Sequence, residues 1–367
     1  AQQQPSYLKS SYELKQKLSQ LDIPPFNVSL FTADAVAMYS NIPQGRALTK
    51  ISEHLRTNAA AYSDIPIEAT LEALRLIMRY NIFTFGDMTF LQKKGTAMGA
   101  PPAPQIATIY YATEEEVFLP LFQSRLLFYC RYLDDTFGLW THHPDPLTDR
   151  QQWQAFQAAM NSNTGLTWEF SPLTDRVDFL DLTITLKEGI ITTTLYEKPL
   201  NLHLYIPPHS AHAPGLLPGI IYGTLFRIHT LCTDADDKDQ RTRTFYYRLK
   251  ARGYQADKLG PLFQKAIERA KVYTGPAPVA DDAARPVFFH LQYHPQDPPP
   301  RLIQKAWREN VLEPKYKQEL WNLRNPKTKA PCNVRRMIIA YKRPMNLGNL
   351  LSHRDLNAHP NHQQPHA

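Results

Sequence analysis

Two adjacent carboxylates interrupt a long apolar and aromatic stretch in the first half of the chain. The stretch runs from Leu127 to Trp140, and the acids are Asp134 and Asp135. Large apolar residues on both sides favour strands, so the short acidic step predicts a β-hairpin with buried flanks. Two unit charges about 4 Å apart repel by roughly 4 kcal/mol at an effective dielectric of about 20, and a hard divalent cation would relieve that repulsion. The hairpin is therefore a candidate metal site, and an exposed Asp-Asp turn is the alternative.

A second acid occupies a similar place nearer the N-terminus. Residues 27–34 predict a strand that ends at Asp34, so that neighbouring strands would bring Asp34 beside Asp134. Between them along the chain lies the loop 93–104, which contains Gly95 and Gly99 and leads into a predicted helix. The small residues of this loop leave room for a backbone or a nucleotide to approach closely. Three separate segments thus predict one site.

The order and spacing of these segments resemble those of the reverse transcriptases, and among them the Penelope-like retroelement group that is related to telomerase. The matching segments are residues 34–43 (palm motif A), 95–101 (motif B) and 132–135 (motif C), with further matches at 179–184 and 341–351. The resemblance implies an α+β fold. Its first part would be a right-hand polymerase palm, in which helices pack on an antiparallel sheet, and a mostly helical thumb would follow.

The resemblance also implies roles for individual residues. Asp34 and Asp134 would hold two Mg²⁺ ions, for which Mn²⁺ can substitute, with the Ala35 carbonyl as a further metal ligand and Asp135 as a supporting catalytic acid. Tyr39, five residues after Asp34, matches the steric gate that excludes a 2′-hydroxyl, and a core tyrosine is the alternative. The incoming nucleotide would also contact small residues of motif B, namely Gly95, Gly99, Ala100 and Pro101.

The implied function is that of an RNA-directed DNA polymerase working by two-metal nucleotidyl transfer. Its partners would be an RNA template, a DNA primer and deoxynucleoside triphosphates. An RNA-dependent RNA polymerase is disfavoured by Tyr39 and by Tyr-Leu-Asp-Asp in place of a Gly-Asp-Asp turn. The oligomeric state stays open.

Basic residues indicate where nucleic acid would bind. The chain has 41 Lys and Arg against 34 Asp and Glu, and its net charge of +7 suits a phosphate-rich partner. Two groups of basic residues alternate with aromatic ones toward the C-terminus, a pattern that can follow a backbone and stack on bases. They are Arg241, Arg243 and Arg248 in the first group, and Arg335, Arg336, Lys342 and Arg343 in the second. A solvated helix face is the alternative for the first group.

Cysteine usage and hydropathy argue against several other classes of protein. The 3 cysteines are far apart and lack the paired spacing of a zinc site or a disulfide framework, which favours a reduced intracellular protein. The resemblance favours the nucleus, although no targeting sequence is recognisable. No apolar run approaches the roughly 20 residues that cross a bilayer, so no membrane partner is predicted.

The pattern along the chain predicts four parts. Residues 1–24 would be a remnant of the fingers with a connecting helix, 25–199 the palm with motifs A, B and C, 200–351 a thumb-like helical region, and 352–367 a disordered tail. Because only 33 residues precede Asp34, we expect the fingers to be largely absent. This expectation supports a hypothesis from another class, a non-catalytic nucleic-acid-binding remnant of a retroelement.

Local patterns predict individual elements. Helices are expected at residues 7–21, at 64–80 with Asp64-Ile65-Pro66 as its cap, and at 104–118. Hairpins are expected at 82–91 and at 179–196, the second with a turn at Lys187-Glu188-Gly189. Proline-rich linkers are expected at 275–278 and 295–300.

Overall fold

The computed structural model describes residues 4–162, 164–210, 212–213, 215–272, 285–294, 296–311 and 332–342. The chain divides into two compact units. The first comprises Ala1–His203 and Arg227–Phe245, and the second comprises Leu204–Phe226 and Tyr246–Ala367. The four-part division of the sequence stays a prediction.

The helices and strands before residue 204 all belong to the first unit. In chain order they are α1 (Ser11–Leu18), β1 (Val28–Ala35), α2 (Met38–Asn41), α3 (Gln44–Thr57), α4 (Ile67–Arg79), β2 (Ile82–Phe85), β3 (Met88–Leu91), α5 (Ala103–Phe118), β4 (Leu126–Tyr132), β5 (Asp135–Thr141), α6 (Pro146–Asn161), β6 (Trp168–Phe170), β7 (Arg176–Phe179), β8 (Leu182–Lys187) and β9 (Ile190–Leu195).

The later elements follow in the same numbering. They are α7 (Leu216–Leu231), α8 (Ala235–Ala251), α9 (Ala256–Lys271), β10 (Arg285–Gln292), α10 (Pro300–Ala306) and β11 (Cys332–Lys342). Strands β10 and β11 pair in parallel, so this mostly helical part of the chain also contains a small sheet. Within the described residues, no helix combines the length and the apolar character needed to span a membrane.

A four-stranded antiparallel sheet, in the order β4-β5-β1-β6, lies at the centre of the first unit. Adjacent residues of a strand face opposite sides of a sheet, and β1 follows this rule. Phe31 packs in one apolar cluster and Leu30 in another. Each buried side chain of this size contributes about 1.5–3 kcal/mol to folding. The sheet is therefore held on both faces, as the predicted palm requires.

Aromatic side chains fill the cluster on one face of the sheet. The Phe31 ring centroid lies 5.6 Å from that of Phe156 in α6, and the Trp140 ring lies 5.0 Å from that of Trp153. Tyr111 of α5 belongs to the same cluster. Helices α5 and α6 are thus fixed against the sheet by edge-on and tilted ring contacts, which add to the hydrophobic term.

The second cluster joins the central sheet to an antiparallel sheet of β7, β8 and β9. The turn between β8 and β9 falls at Glu188-Gly189, where both residues have positive φ (51° and 79°). This backbone matches the two-residue hairpin turns that fit the twist of the strands. The predicted turn at residues 187–189 is confirmed.

Other local predictions meet mixed outcomes. The hairpin at 82–91 is confirmed as β2 and β3, and the helix predicted at 104–118 is α5. The helix predicted at 64–80 is α4. Pro66, the last residue of the predicted cap, occupies the N-cap position, and no side chain makes a capping hydrogen bond there. The predicted linker at 275–278 and the tail at 352–367 lie outside the described residues.

The helix predicted from Tyr7 to Leu21 is shorter than expected. The Leu8 backbone N–H donates to the carbonyl oxygen of Arg131 over 2.9 Å, and Tyr7 bridges Arg131 in parallel. These residues therefore extend the edge of the central sheet beside β4. The helix begins only after Ser10, whose hydroxyl accepts from the Glu13 N–H.

Candidate active site

Asp34 stands directly opposite Asp135 in the register between β1 and β5. Asp134 occupies the adjoining turn, and its carbonyl oxygen accepts a hydrogen bond of 2.9 Å from the Ala35 backbone N–H. The backbone thus brings Asp34 beside Asp134 and Asp135, which lie about a hundred residues farther along the chain. All three side chains are at least partly accessible to solvent, so the site opens to the surface.

The hairpin that carries Asp134 has a strained turn. Only Leu133 and Asp134 connect β4 to β5, and Leu133 has a φ of 56°. This left-handed backbone costs a residue with a side chain about 1–3 kcal/mol, and such strain persists where surrounding contacts enforce it. Arg131 supplies one such contact, since its Nη1 donates to the Leu133 carbonyl oxygen over 3.0 Å.

Negative charge is crowded at this edge of the sheet. The pKa of Asp135 is raised to about 6, first by burial and then by the neighbouring carboxylates of Asp134 and Asp34. The pKa of Asp34 is also raised, first by burial and then by Asp134. Among the described residues, no Lys, Arg or His forms an ion pair with any of the three acids.

The donor atoms fit a hard divalent cation. Carboxylate and carbonyl oxygens are the ligands that Mg²⁺ prefers, and a cation would relieve the repulsion that raises both pKa values. In the part of the chain that the structure describes, however, no three acidic, histidine or cysteine side chains converge as a ready metal-binding group. Asp34 and Asp135 are direct partners across β1 and β5, and the pKa of each is raised. Metal binding at Asp34, Ala35 and Asp134 would favour the charged form of these carboxyls.

Tyr39 lies on the short helix α2 that follows the first acid. Its ring is half-buried and packs against the apolar cluster beneath the sheet. Burial raises the pKa of Tyr39, and Asp134 is the next contributor, so the hydroxyl lies within electrostatic reach of that carboxylate. The ring of Tyr39 is therefore held by the core, and its hydroxyl is close enough to Asp134 for the carboxylate to affect its pKa.

The glycine loop predicted as motif B is attached to the backbone of α2. Thr96 donates its N–H to the Tyr39 carbonyl oxygen over 2.7 Å, and Gly95 donates to the Ile42 carbonyl over 2.9 Å. Gly95 has a φ of +79°, a value that glycine adopts without strain. The Gln44 side chain also donates to the Gly95 carbonyl over 2.9 Å. Motif B thereby fixes the backbone that carries Tyr39.

The remaining predicted nucleotide contacts lie farther along the same loop. Gly99 and Pro101 are exposed, and Ala100 is half-buried. Gly99 has a φ of +86°, and the space where a side chain would project is open. Gly95 and Gly99 therefore differ in their surroundings, because only Gly95 is enclosed by backbone.

A buried ion pair beneath the hairpin was not predicted from the sequence. Arg131 is 1% exposed, and its guanidinium contacts Glu115 of α5 through Nε (2.6 Å) and Nη2 (3.0 Å). The Glu115 carboxylate also accepts from the Tyr129 hydroxyl over 2.9 Å and from the Ser6 hydroxyl. A charged residue in a buried strand requires a partner. The position of Arg131 within an apolar run was therefore the available signal.

A second Leu-Asp turn repeats the geometry of the first without its uncompensated charge. Leu180 and Asp181 connect β7 to β8, and Leu180 has a φ of 54°. The Asp181 carboxylate accepts from Arg227 Nη2 over 2.6 Å and from the Ser11 hydroxyl. The two turns therefore differ in the charge of their acids, because Asp181 is neutralised by an arginine and Asp134 has no such partner among the described residues.

The basic residues predicted to bind nucleic acid have different surroundings. Arg241 pairs with Asp237 over 2.8 Å, and Arg243 is exposed on the same helix. Arg248 is half-buried, and Lys342 is exposed at the end of β11. Arg335 and Arg336 lie in β11, where the structure does not describe their side chains, and Arg343 lies outside the described residues. The ion pair of Arg241 would compete with a phosphate.

No protein-family profile and no curated protein matches this sequence. Among solved structures, the chain is similar to telomerase from Candida albicans in complex with the TWJ fragment of telomeric RNA, with a TM-score of 0.52 and 12% identity over 74% of this chain and 50% of that one. A Sicinivirus 3Dpol RNA-dependent RNA polymerase is a weaker match, with a TM-score of 0.42 and 14% identity over 72% and 55% of the two chains.

The chain spans about half the length of the Candida albicans telomerase chain that it matches. At 12% identity the similarity concerns the fold alone. The chain therefore has a mixed α/β fold with antiparallel sheets, like that of polymerase palm and thumb domains.

Proposed function

We propose that this chain is the RNA-directed DNA polymerase domain of a retroelement, related to the Penelope-like group. The observation that carries the proposal is the meeting of Asp34, Asp134 and Asp135 at one accessible edge of the palm-like sheet, without a neutralising side chain among the described residues. A purely structural acid is normally paired, as Asp181 is with Arg227. Crowded acids without a partner are typical of sites that bind a cation.

Asp34, Asp134 and the Ala35 carbonyl would hold two Mg²⁺ ions. Bound magnesium would supply activation of the primer 3′-hydroxyl and neutralisation of the leaving pyrophosphate. The protein would position the carboxylates that hold the metal ions. Asp135 stands opposite Asp34 across the two strands and would act as a supporting acid, while the Arg131 contact to Leu133 fixes the turn on which Asp134 is carried.

Tyr39 would set the choice of sugar. Its backbone is held by Thr96 and its ring packs against the core. The ring would therefore stay in place and clash with the 2′-hydroxyl of a ribonucleotide. Gly99, Ala100 and Pro101 are accessible beside the loop that holds it, which is consistent with a role in contacting the nucleotide. The substrates would be deoxynucleoside triphosphates, added to a DNA primer on an RNA template in the nucleus.

Primer extension by the 367-residue chain tests this proposal. The assay would offer a labelled DNA primer on an RNA template, with Mg²⁺ or Mn²⁺, and with either deoxynucleotides or ribonucleotides. We expect template-directed addition of deoxynucleotides. Extension with ribonucleotides alone would instead indicate an RNA polymerase.

A second candidate function is binding of nucleic acid without catalysis, as in a remnant of such an element. The arrangement of the acids favours it, because among the described residues no three acidic, histidine or cysteine side chains form a group that could already hold a metal ion. The same assay separates the two functions. A chain that binds the RNA–DNA hybrid but extends no primer at any Mg²⁺ or Mn²⁺ concentration would support the remnant.

A further inference from the structure

A cavity of about 490 Å³ lies beside the motif B loop, between the start of α3, the end of α4 and β3. Three basic residues line it, namely Arg75, Arg79 and Lys93, and none of its described lining residues is acidic. Its volume is within the range of pockets that bind small ligands or single chemical groups. The lining therefore favours an anion.

The positive charge of this cavity is available to a ligand. Arg75 pairs with Glu72 over 3.1 Å, but both side chains are about half exposed, and such pairs contribute little. Among the described residues, neither Arg79 nor Lys93 forms an ion pair. The Arg79 guanidinium lies over the Tyr80 ring, 5.5 Å from its centroid. A phosphate could thus contact Arg79 and Lys93 without displacing an acid.

A lining residue of the cavity is hydrogen-bonded to the motif B loop. Gln44, one of its lining residues, donates through its side chain to the carbonyl oxygens of Gly95 (2.9 Å) and Gln92 (3.3 Å). Gly45, the next lining residue, has open space where a side chain would project. An anion in the cavity would therefore lie close to the loop that fixes Tyr39.

Exposed aromatic rings continue from the cavity along the hairpin of β2 and β3. Phe83, Phe85 and Phe90 are 51%, 76% and 38% exposed, and the rings of Phe83 and Phe90 stack with centroids 5.4 Å apart. Leu91 at the end of this hairpin lines the cavity. Contiguous apolar exposure of this kind marks an interaction surface. Aromatic rings next to cations are the combination that binds single-stranded nucleic acid, through base stacking and phosphate contacts.

We propose that the cavity and the β2–β3 hairpin together bind the unpaired template strand, with a backbone phosphate between Arg79 and Lys93 and bases against the exposed phenylalanines. This inference rests on the proposed function, because it is the polymerase assignment that makes the strand a template. The physical claim, a binding site for single-stranded nucleic acid, stands on the cavity and the hairpin. A nucleoside triphosphate carries the same phosphate chemistry, and the test therefore includes it.

The test compares two variants that remove the same charge. R79Q/K93Q changes the cavity, and R150Q/K187Q removes two exposed basic residues elsewhere in the first unit. Labelled single-stranded RNA and a labelled deoxynucleoside triphosphate would be titrated separately in EDTA at several salt concentrations. A third variant, F85A, removes an exposed ring that has no aromatic partner among the described residues. Circular dichroism would check that each variant is folded.

We expect R79Q/K93Q to weaken RNA binding about tenfold or more and to reduce the slope of log K against log salt by about 0.7, the contribution of the one phosphate that the two side chains would hold on a single strand. F85A should weaken RNA binding at all salt concentrations without changing the slope, because stacking is not ionic. R150Q/K187Q should change both quantities much less than R79Q/K93Q does.

Equal effects of the two double variants on RNA would overturn the proposal, and so would loss of triphosphate binding alone in R79Q/K93Q. Because binding is measured in EDTA, its outcome does not depend on catalysis. A chain that binds RNA through the cavity but extends no primer would retain this inference and contradict the proposed polymerase activity. Primer extension that is insensitive to R79Q/K93Q, with unchanged RNA binding, would contradict this inference and retain the proposed polymerase activity.

Discussion

A Cβ atom on Gly95 would lie 2.3 Å from the carbonyl oxygen of Tyr39. Real Cβ atoms do not approach a carbonyl oxygen this closely, and the obstacle is backbone rather than a side chain that can rotate away. The residue after Gly95 donates its N–H to the same oxygen. The motif B loop and the proposed steric gate therefore depend on each other.

Gly95→Ala should destabilise the chain by about 2–3 kcal/mol, because it combines a positive φ with a backbone clash. Gly99→Ala is the matched control, since Gly99 also has a positive φ but adjoins open space. Its cost should be only about 1 kcal/mol. Chemical denaturation measures both values. Equal destabilisation by the two variants would show that the contact with Tyr39 does not constrain the loop.

Glu115→Gln should be more damaging than its exposed neighbour Glu116→Gln. Removing the Glu115 charge leaves the Arg131 guanidinium buried without its counter-ion, a change that typically costs about 3–5 kcal/mol. Glu116 is exposed, and its contact is with His54 over 3.6 Å, so its loss should cost less than about 1 kcal/mol. Thermal unfolding of both variants is the measurement. A Glu115→Gln protein as stable as Glu116→Gln would refute a structural role for the buried pair.

Asp135 should make the metal-free protein less stable as the pH rises. Its pKa is about 6 in the folded chain and about 3.9 when unfolded, so the folded state binds the proton more tightly. Stability from this group is present below about pH 4 and is lost as the pH rises to about 6. Because the side chain is partly solvated, we expect a loss of about 1–2 kcal/mol rather than the full value of the shift.

Asp135→Asn should remove that loss and give a more stable protein at pH 7.5 in EDTA. Asp22→Asn, at an exposed position, is the control for a generic change of charge. Denaturant titrations between pH 4 and pH 8 would measure the slope. If the free energies of unfolding of the wild type and Asp135→Asn change in parallel with pH, ionisation of Asp135 does not destabilise the folded protein.

Tyr39→Ala should let ribonucleotides enter the site, because the volume that would clash with a 2′-hydroxyl is removed. Tyr39→Phe keeps the ring and serves as the control. The measurement is the ratio of kcat/KM for deoxynucleotides to that for ribonucleotides, which we expect to fall at least tenfold in the alanine variant and to stay unchanged in the phenylalanine variant. Retained selectivity in Tyr39→Ala would indicate that Tyr39 is only a core residue.

Much of the palm-like part was predictable because its signals are local. The hairpin at Asp134 follows from an apolar run broken by acids, and the turn at Glu188-Gly189 follows from the residue types that accept positive φ. The start of α1 was not predictable, since residues near Tyr7 pair with Arg131 across the chain, and a distant partner does not appear in a local pattern. The Arg131–Glu115 pair was missed for the same reason.

In the proposed site, too, some features were predictable from the sequence and others depend on packing between distant segments. Sequence order indicated that Asp34 and Asp134 meet, and the strand register places Asp34 opposite Asp135 with Asp134 in the adjoining turn. The basic cavity at Arg79 and Lys93 was not predicted, because its three cations come from α4 and from the segment after β3. Only the packing of these elements brings their charges together.

The most direct test of the account is primer extension by the wild type, Asp34→Asn, Asp134→Asn and Asp181→Asn on one RNA–DNA hybrid in Mg²⁺. Asp181 is the matched control because it occupies an equivalent Leu-Asp turn but pairs with Arg227. We predict that Asp34→Asn and Asp134→Asn each lower kcat on the order of 10²-fold or more while hybrid affinity is retained. Asp181→Asn should lose stability but keep kcat at a temperature where it is folded. Undiminished extension by Asp134→Asn, or a loss of kcat in folded Asp181→Asn as large as in Asp134→Asn, would contradict the assignment of the active site.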